Sequence, residues 1–298
     1  MSILEKFPPV KGILQENVAL AKKSWFGVGG PADILFIPED MDDLVAVLRA
    51  LPKDMSVTIL GAMSNIIIRS GGIRGIVIIL GSCFKKIYAE NGIIEVGAAV
   101  SCTELATFAM DLELGGLEFL MGLPGSIGGA IKMNAGCYGY DMSNILIEFE
   151  AISSKTTHIK WYKAGEPNFQ YRSSDIPNDM IITRAWIRGI KGVNYSITKK
   201  VNEIVKKRKE SQPTGRTCGC TFKNPEGQKA WQLIQNAGCK GMRCGGAVVS
   251  EKHCNFIIND RNASPEDIEN LGEKIAEKVL ESSGIKLEWE VIRLGEKL

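Results

Sequence analysis

Histidine is almost absent: His158 and His253 are the only two in 298 residues. Eight cysteines are present, yet they lack the paired C-x₂₋₄-C knuckles of a structural zinc site. They offer only Cys218-x-Cys220 and Cys239-x₄-Cys244, and no metal is expected. Spread over so long a chain, the thiols read as reduced rather than as a disulfide scaffold. A surplus of charge is missing as well: 36 Lys and Arg against 34 Asp and Glu leave a formal +2. That balance argues against a nucleic-acid protein working through a strong basic field. No uncharged apolar run approaches the ~18–20 residues that span a bilayer, so no membrane partner is expected. The opening MSILEKFPPVKGILQEN has no signal-peptide apolar region. A cytoplasmic protein acting as a monomer is expected. Also missing is a G-x-G-x-x-G closing a strand, the fingerprint of the doubly wound dinucleotide fold.

Glycine, by contrast, is plentiful, with 32 residues arranged in clusters. Between the clusters lie short β-branched runs that read as strands: 32–38, 57–60, 65–69, 75–80 and 93–98. Leu44, Val47, Leu48 and Leu51 recur at helical spacing. Ser101-Cys-Thr-Glu104 reads as a capping box opening a second helix. Strands dominate again from 145 to 190, and 191–196 reads as a linker. A basic amphipathic helix follows, with Ile197, Val201, Ile204 and Val205 on one face. Further on come a helix around Trp231–Ile234, strands AVVS and NFIIN, and a helix opened by Ser264-Pro265. The run KLEWEVIRLG reads as a terminal strand. The class is α+β, with a larger domain over 1–192 (lobes 1–80 and 81–192) and an α/β domain over 193–298.

Three glycine clusters stand in the first half. They are Gly27-Val28-Gly29-Gly30, Gly61-Ala62-Met63-Ser64-Asn65, and a third running through Gly122, Pro124, Gly125, Ser126, Gly128 and Gly129 to Asn134-Ala135-Gly136. Glycine allows positive φ and close backbone approach, so consecutive amides can point at one anion. Any one cluster alone is a tight turn; three within ~110 residues point to a diphosphate cradle.

The run of motifs SWFGVGGPAD, LGAMSNIIIR, GLEFLMGLPGSIGGAIKMNAG, YRSSD, RKESQP, CGCTFKNP, AGCKGMRCGGAVVSEKHCNFIIN and LEWEVIRLG resembles the UDP-N-acetylenolpyruvoylglucosamine reductase (MurB) family, over roughly residues 20–295. The resemblance implies FAD, bound non-covalently in the fold of the vanillyl-alcohol oxidase and p-cresol methylhydroxylase (PCMH) flavoproteins. A substrate-binding domain would follow it. The three clusters would then serve the FAD pyrophosphate and flavin. The implied reaction is NADPH-dependent reduction of UDP-N-acetylglucosamine enolpyruvate to UDP-N-acetylmuramate in peptidoglycan precursor synthesis. LGAMSN departs from the family's more usual GGGSN-like form at Ala62 and Met63, without removing Gly61, Ser64 and Asn65. Only about 50 residues separate Arg172 from Phe222, which resembles the shorter branch lacking an extra substrate-covering lobe.

On motif position Arg172 matches the family arginine that steadies enolate-like charge, and Glu290 matches the carboxylate that assists it, in preference to Glu288. The family has serine where Cys220 stands. A thiol, with an ordinary pKa near ~8.5, gives up a proton far more readily than an alkyl hydroxyl, so general-acid capacity is kept. Lys223 and Asn224 are expected to reach the UDP or pyrophosphate. Arg208 and Gln212 contact substrate phosphates or cofactor, and Tyr171 either packs beside Arg172 or touches substrate. His253 reads as a turn residue rather than an acid–base group. Two rivals stand beside this reading: an FAD-dependent alcohol oxidase of the same fold and a catalytically silent sugar-nucleotide-binding protein. Many such oxidases tether FAD through histidine, but His158 lies well past the glycine loops, and intact Arg172 and Glu290 speak against silence.

Overall fold

The structure, a computed structural model, describes residues 3–298. The chain divides into two compact units, each discontinuous in sequence. Unit 1 comprises the described residues up to Glu16, Ile34–Ala62 and Gly75–Arg208; unit 2 comprises Asn17–Asp33, Met63–Arg74 and Lys209–Leu298. Among the described residues no helix is long and apolar enough to cross a membrane.

Two sheets dominate unit 1. The first has the order Ile13–Ala19, Pro31–Ile37, Ile73–Ile78, Val57–Ile59, and lies mainly in this unit. Helix α1 (Met41–Ala50) buries Leu44, Val47 and Leu48 in a core with Ile34, Phe36, Ile76 and Ile78. Its start is fixed by the Asp40 side chain, which accepts from the Asp43 N–H at 2.8 Å, an N-cap of the usual kind. The second sheet is antiparallel, ordered Ile159–Lys163, Leu146–Ser153, Met180–Arg188, Ile93–Gly97, Ile87–Glu90. Its inner face packs on helix α2 (Cys102–Asp111) and helix α3 (Ile127–Met133) in a core that includes Val96, Leu105, Ile131, Phe149 and Ala185. Ser101 accepts from the Glu104 N–H at 3.1 Å, which is the N-cap half of the expected capping box.

The stretch 191–196 is not a linker. Ile190–Lys191 pairs antiparallel with Leu114–Gly115, and helix α4 (Asn194–Ser211) begins three residues later. Ile197 and Val201 are buried, but Val205 is 46% exposed. At about 100° per residue Val205 lies roughly 40° beyond Val201, outside the stripe through Ile197, Val201 and Ile204, which accounts for the difference.

Unit 2 builds its core from helix α5 (Ala230–Asn236), helix α6 (Pro265–Ser283), an antiparallel ribbon of Arg243–Cys244, Ala247–Val249 and Ile257–Asn259, and a parallel pair of Ile66–Ile68 with Ile292–Leu294. Ser264 caps α6 in a full capping box with Asp267, Pro265 opens its first turn, and Gly284 closes it at φ 71°. The terminal run is regular strand only over Ile292–Leu294; before it, Trp289 and Phe222 form an isolated bridge.

Candidate functional site

Unit 1 carries the longest glycine run on a loop bound down by main-chain hydrogen bonds. Cys102 N–H donates to Gly125 O at 3.0 Å, Ile127 N–H to Val100 O at 2.9 Å and Gly128 N–H to Ala98 O at 2.9 Å. Close approach explains three of the glycines. A Cβ at Gly128 would lie 3.0 Å from Ala98 Cβ, one at Gly122 2.8 Å from Cys137 Sγ, and one at Gly136 2.3 Å from Tyr140 O. A Cβ at Gly61 would stand 2.4 Å from Ser126 Oγ, so a glycine is needed there for the 61–62 turn to lie against the Ser126 side chain of the 125–129 turn. Gly61, Ala62 and Gly129 are exposed, while Pro124 and Gly125 are half-buried.

Two arginines read from the sequence converge on this loop. Arg172 Nη2 donates to Gly136 O at 2.5 Å, and Arg208 Nη1 donates to Gly122 O. Arg172 adopts φ 57°, a left-handed conformation uncommon outside glycine, asparagine and aspartate. The Tyr171 ring lies 4.9 Å from the Arg172 guanidinium carbon and is half exposed. Between the arginines sits Cys137, whose thiol donates to Phe119 O at 3.1 Å. Burial pushes it up to about 11 even though Arg172 and Arg208 pull the other way. Asn134 is buried in the left-handed C-cap of α3: its Nδ2 donates to Gln170 O at 3.0 Å and its Oδ1 accepts from Ser143 N–H at 3.0 Å. Ala135 N–H continues the cap to Ala130 O at 2.8 Å.

In unit 2 the first glycine cluster packs against its own neighbours. A Cβ at Gly29 (φ 135°) would lie 2.7 Å from Ile68 Cβ, one at Gly30 2.2 Å from Ser70 O, and one at Gly27 3.0 Å from Arg216 Cδ; Val28 is core. Met63, at φ 52°, is buried, with Ser64 and Asn65 half-buried beyond it. The Asn65 side chain donates to Glu290 O at 2.9 Å. Glu290 N–H in turn donates to Thr221 O at 2.8 Å, so the segment bearing Cys220 runs beside the one bearing Glu290. Both Cys220 and Glu290 are half-buried.

The same crossing ties Lys223 N–H to Glu288 O at 2.8 Å and Lys223 Nζ to Glu288 Oε1 at 2.6 Å. Asn224 Oδ1 accepts from Ala230 N–H at 3.0 Å near the start of α5, and Gln212 is half-buried just after α4. His253 packs its ring 4.8 Å from Phe256, and burial lowers its pKa, which keeps it a neutral packing group at pH 7. Among the described residues no three His, Cys, Asp or Glu side chains gather to hold a metal ion. Arg172 lies in unit 1; Cys220, Glu290, Lys223 and Asn224 lie in unit 2.

Sequence reasoning passed over two residues. Lys132 on α3 donates from Nζ to Ile176 O, and burial lowers its pKa against the pull of Asp179 and Asp175. Asn255, two residues after His253, is buried against Thr221 and Phe222. A polar amide inside the apolar run CNFII was the available signal, since a buried amide is kept only where it is hydrogen-bonded.

Two family models match the chain: an FAD binding domain over residues 32–161, and the C-terminal domain of UDP-N-acetylenolpyruvoylglucosamine reductase over residues 211–294. The expected α+β class and FAD-binding fold are thus present, and the first match contains the 61–65 and 122–136 loops. The glycine turn at 61, lying against the Ser126 hydroxyl of the 125–129 turn, suits a pyrophosphate, which needs close main-chain approach and hydrogen-bond donors. The chain is 48% identical to UDP-N-acetylenolpyruvoylglucosamine reductase of Gluconobacter oxydans over 293 residues, covering 97% of this chain and 95% of that one. It is 44% identical to the protein of the same name from Parvibaculum lavamentivorans, covering 99% and 95%. The crystal structure of the Thermus caldophilus reductase (MurB) superposes with a TM-score of 0.84 at 33% identity, covering 95% of this chain and 100% of that one. On these matches, which run through both units, the chain belongs to the UDP-N-acetylenolpyruvoylglucosamine reductase family.

Proposed function

We propose that the protein reduces UDP-N-acetylglucosamine enolpyruvate to UDP-N-acetylmuramate, using NADPH and non-covalent FAD, as a cytoplasmic monomer supplying peptidoglycan precursors. The observation that carries the reading is the 2.8 Å bond from Glu290 N–H to Thr221 O, which sets an acid thiol and a carboxylate on adjacent segments of one unit. Bound FAD would supply the hydride chemistry that links NADPH to the enolpyruvyl double bond. In this proposal residues 1–192 hold FAD and 193–298 hold the sugar nucleotide.

Hydride addition to the vinyl group leaves developing negative charge on the carboxylate-bearing carbon. Arg172 balances that charge; a fixed cation in a water-poor site costs no reorganisation as the charge appears. The bond to Gly136 O and the Tyr171 ring hold the guanidinium in place. Cys220 holds the proton that the carbon receives. Glu290 assists there, its main chain fixed by Asn65 and Thr221. Gly61, Ala62 and the 122–136 loop in unit 1, with Gly27–Gly30 and Met63–Asn65 in unit 2, serve the cofactor. Lys223 and Asn224 face the UDP, Lys223 exchanging Glu288 for a phosphate oxygen. Arg208 and Gln212 serve the substrate phosphates.

The test is NADPH oxidation by the purified yellow protein with and without the enolpyruvyl sugar nucleotide. Rapid oxidation that needs the sugar nucleotide, with UDP-N-acetylmuramate formed in equal amount, is expected. A colourless protein that takes up no FAD, or oxidation indifferent to the sugar nucleotide, would overturn the proposal.

A further inference from the structure

Cys220 sits on a segment whose main chain is gripped by one buried side chain. Asn255 is 2% exposed. Its Oδ1 accepts from Phe222 N–H at 3.0 Å and its Nδ2 donates to Phe222 O at 2.8 Å. Its own main-chain O accepts from Thr221 N–H at 2.7 Å, and Cys220 bridges to Phe256 on its other side. An amide that brackets both polar groups of one residue does what a neighbouring strand would do. A side chain is needed here because 250–256 is folded back on itself, with Ser250 N–H on Phe256 O at 2.8 Å and Phe256 N–H on His253 O at 3.0 Å. The opposite edge of the segment is occupied by Glu290, through Thr221 O. Cys220 therefore stands on a short stretch clamped from both sides, one clamp being a single amide.

We infer that Asn255 is a positioning residue for proton delivery: its bracket on Phe222 fixes the direction in which the Cys220 thiol points. The inference rests on Cys220 being the acid. Only a group that offers one donor and one acceptor fits the bracket. Asn255→Asp, ionised, sets a carboxylate oxygen against Phe222 O; protonated, it offers the O–H donor and the acceptor that the amide supplied. The defect of that variant is thus expected to ease as pH falls, which loss of packing would not do. Asn255→Ser breaks the bracket without burying a charge and is made alongside it.

The experiment measures, in the FAD-loaded enzyme, flavin reduction by NADPH and flavin reoxidation by the enolpyruvyl sugar nucleotide separately. The variants are Asn255→Asp, Asn255→Ser, Cys220→Ala and the doubles. Both Asn255 variants are expected to slow reoxidation at least ~10-fold, against the ~10²–10⁴-fold span of a positioned general acid, and to leave flavin reduction within about twofold. In the Cys220→Ala background neither is expected to slow it further, since residues acting through one group are non-additive. The pH profile of Cys220 alkylation, followed by mass spectrometry of its peptide, is expected to shift in both variants. Cys220→Ala reoxidising as fast as wild type would sink the assignment of Cys220. Cys220→Ala slow, with the Asn255 effects multiplying on top of it or both half-reactions slowing alike, would overturn the positioning role and leave the assignment of Cys220 standing.

Discussion

In unit 1 Arg172 is held by glycines, its guanidinium donating to Gly136 O and its neighbour Arg208 donating to Gly122 O. In unit 2 the segments of Cys220 and Glu290 are held by asparagines, through the amides of Asn255 and Asn65. The first arrangement uses carbonyls that only a loop without Cβ atoms can bring close. The second uses side chains where strand pairing has run out. The two regions should therefore fail differently: the arginine mount through added bulk, the thiol mount through lost hydrogen bonds.

The largest effects belong to the charged and acidic groups themselves. Arg172→Ala should slow reoxidation by substrate ~10²–10³-fold, the usual loss on removing one stabiliser of transition-state charge. Flavin reduction by NADPH should be nearly unchanged, and stopped-flow traces of the two half-reactions check this. Next comes Gly136→Ala. Its Cβ would meet Tyr140 O at 2.3 Å and Asp141 Cβ at 2.6 Å, both parts of a fixed hairpin. Overpacking of that kind costs ~1–3 kcal/mol, read as a Tm lowered by several degrees. The same variant should weaken FAD retention, which a comparable loss of stability from a substitution inside helix α6, away from the glycine loops, should not.

Legibility followed the range of the interaction. Local signals were plain: Ser264, Pro265 and Gly284 delimit α6, and the β-branched runs at 93–98 and 145–190 became four strands of the five-stranded sheet, whose edge strand Ile87–Glu90 had no such run. The 191–196 stretch misled because glycine and asparagine there serve a two-residue strand and the start of α4. Contacts between distant segments carried no local mark. Nothing near Asn65 announces that its amide serves Glu290, and nothing near Thr221 announces Glu290 as a neighbour. The family motifs supplied Arg172, Cys220 and Glu290 without their supports, so Asn255 had to come from the structure.

A smaller effect concerns pH. Burial raises Cys102 and Cys218 to about 12 and Cys137 to about 11. The folded chain keeps these protons when the unfolded chain has lost them. Their contribution is whole below the ordinary thiol value and is lost as pH rises from about 9 through 12. Chemical denaturation across that range should show falling stability. Cys218→Ala should flatten the slope by up to ~1.4 kcal/mol per pH unit, one proton's worth. Smallest is Glu288→Gln. Glu288 is 72% exposed in its pair with Lys223, so stability should change by less than ~1 kcal/mol. Reoxidation should be nearly unaffected, in contrast to Glu290→Gln, which should slow it.

The acid role of Cys220 is tested most directly by the pH dependence of reoxidation in wild type and in Cys220→Ser. A thiol loses its proton at alkaline pH and a serine hydroxyl does not. The wild-type rate should fall as pH rises, while Cys220→Ser, slower or not at neutral pH, should stay flat over the same range. If both fall together with one apparent pKa, the proton comes from another group and the assignment of Cys220 is wrong.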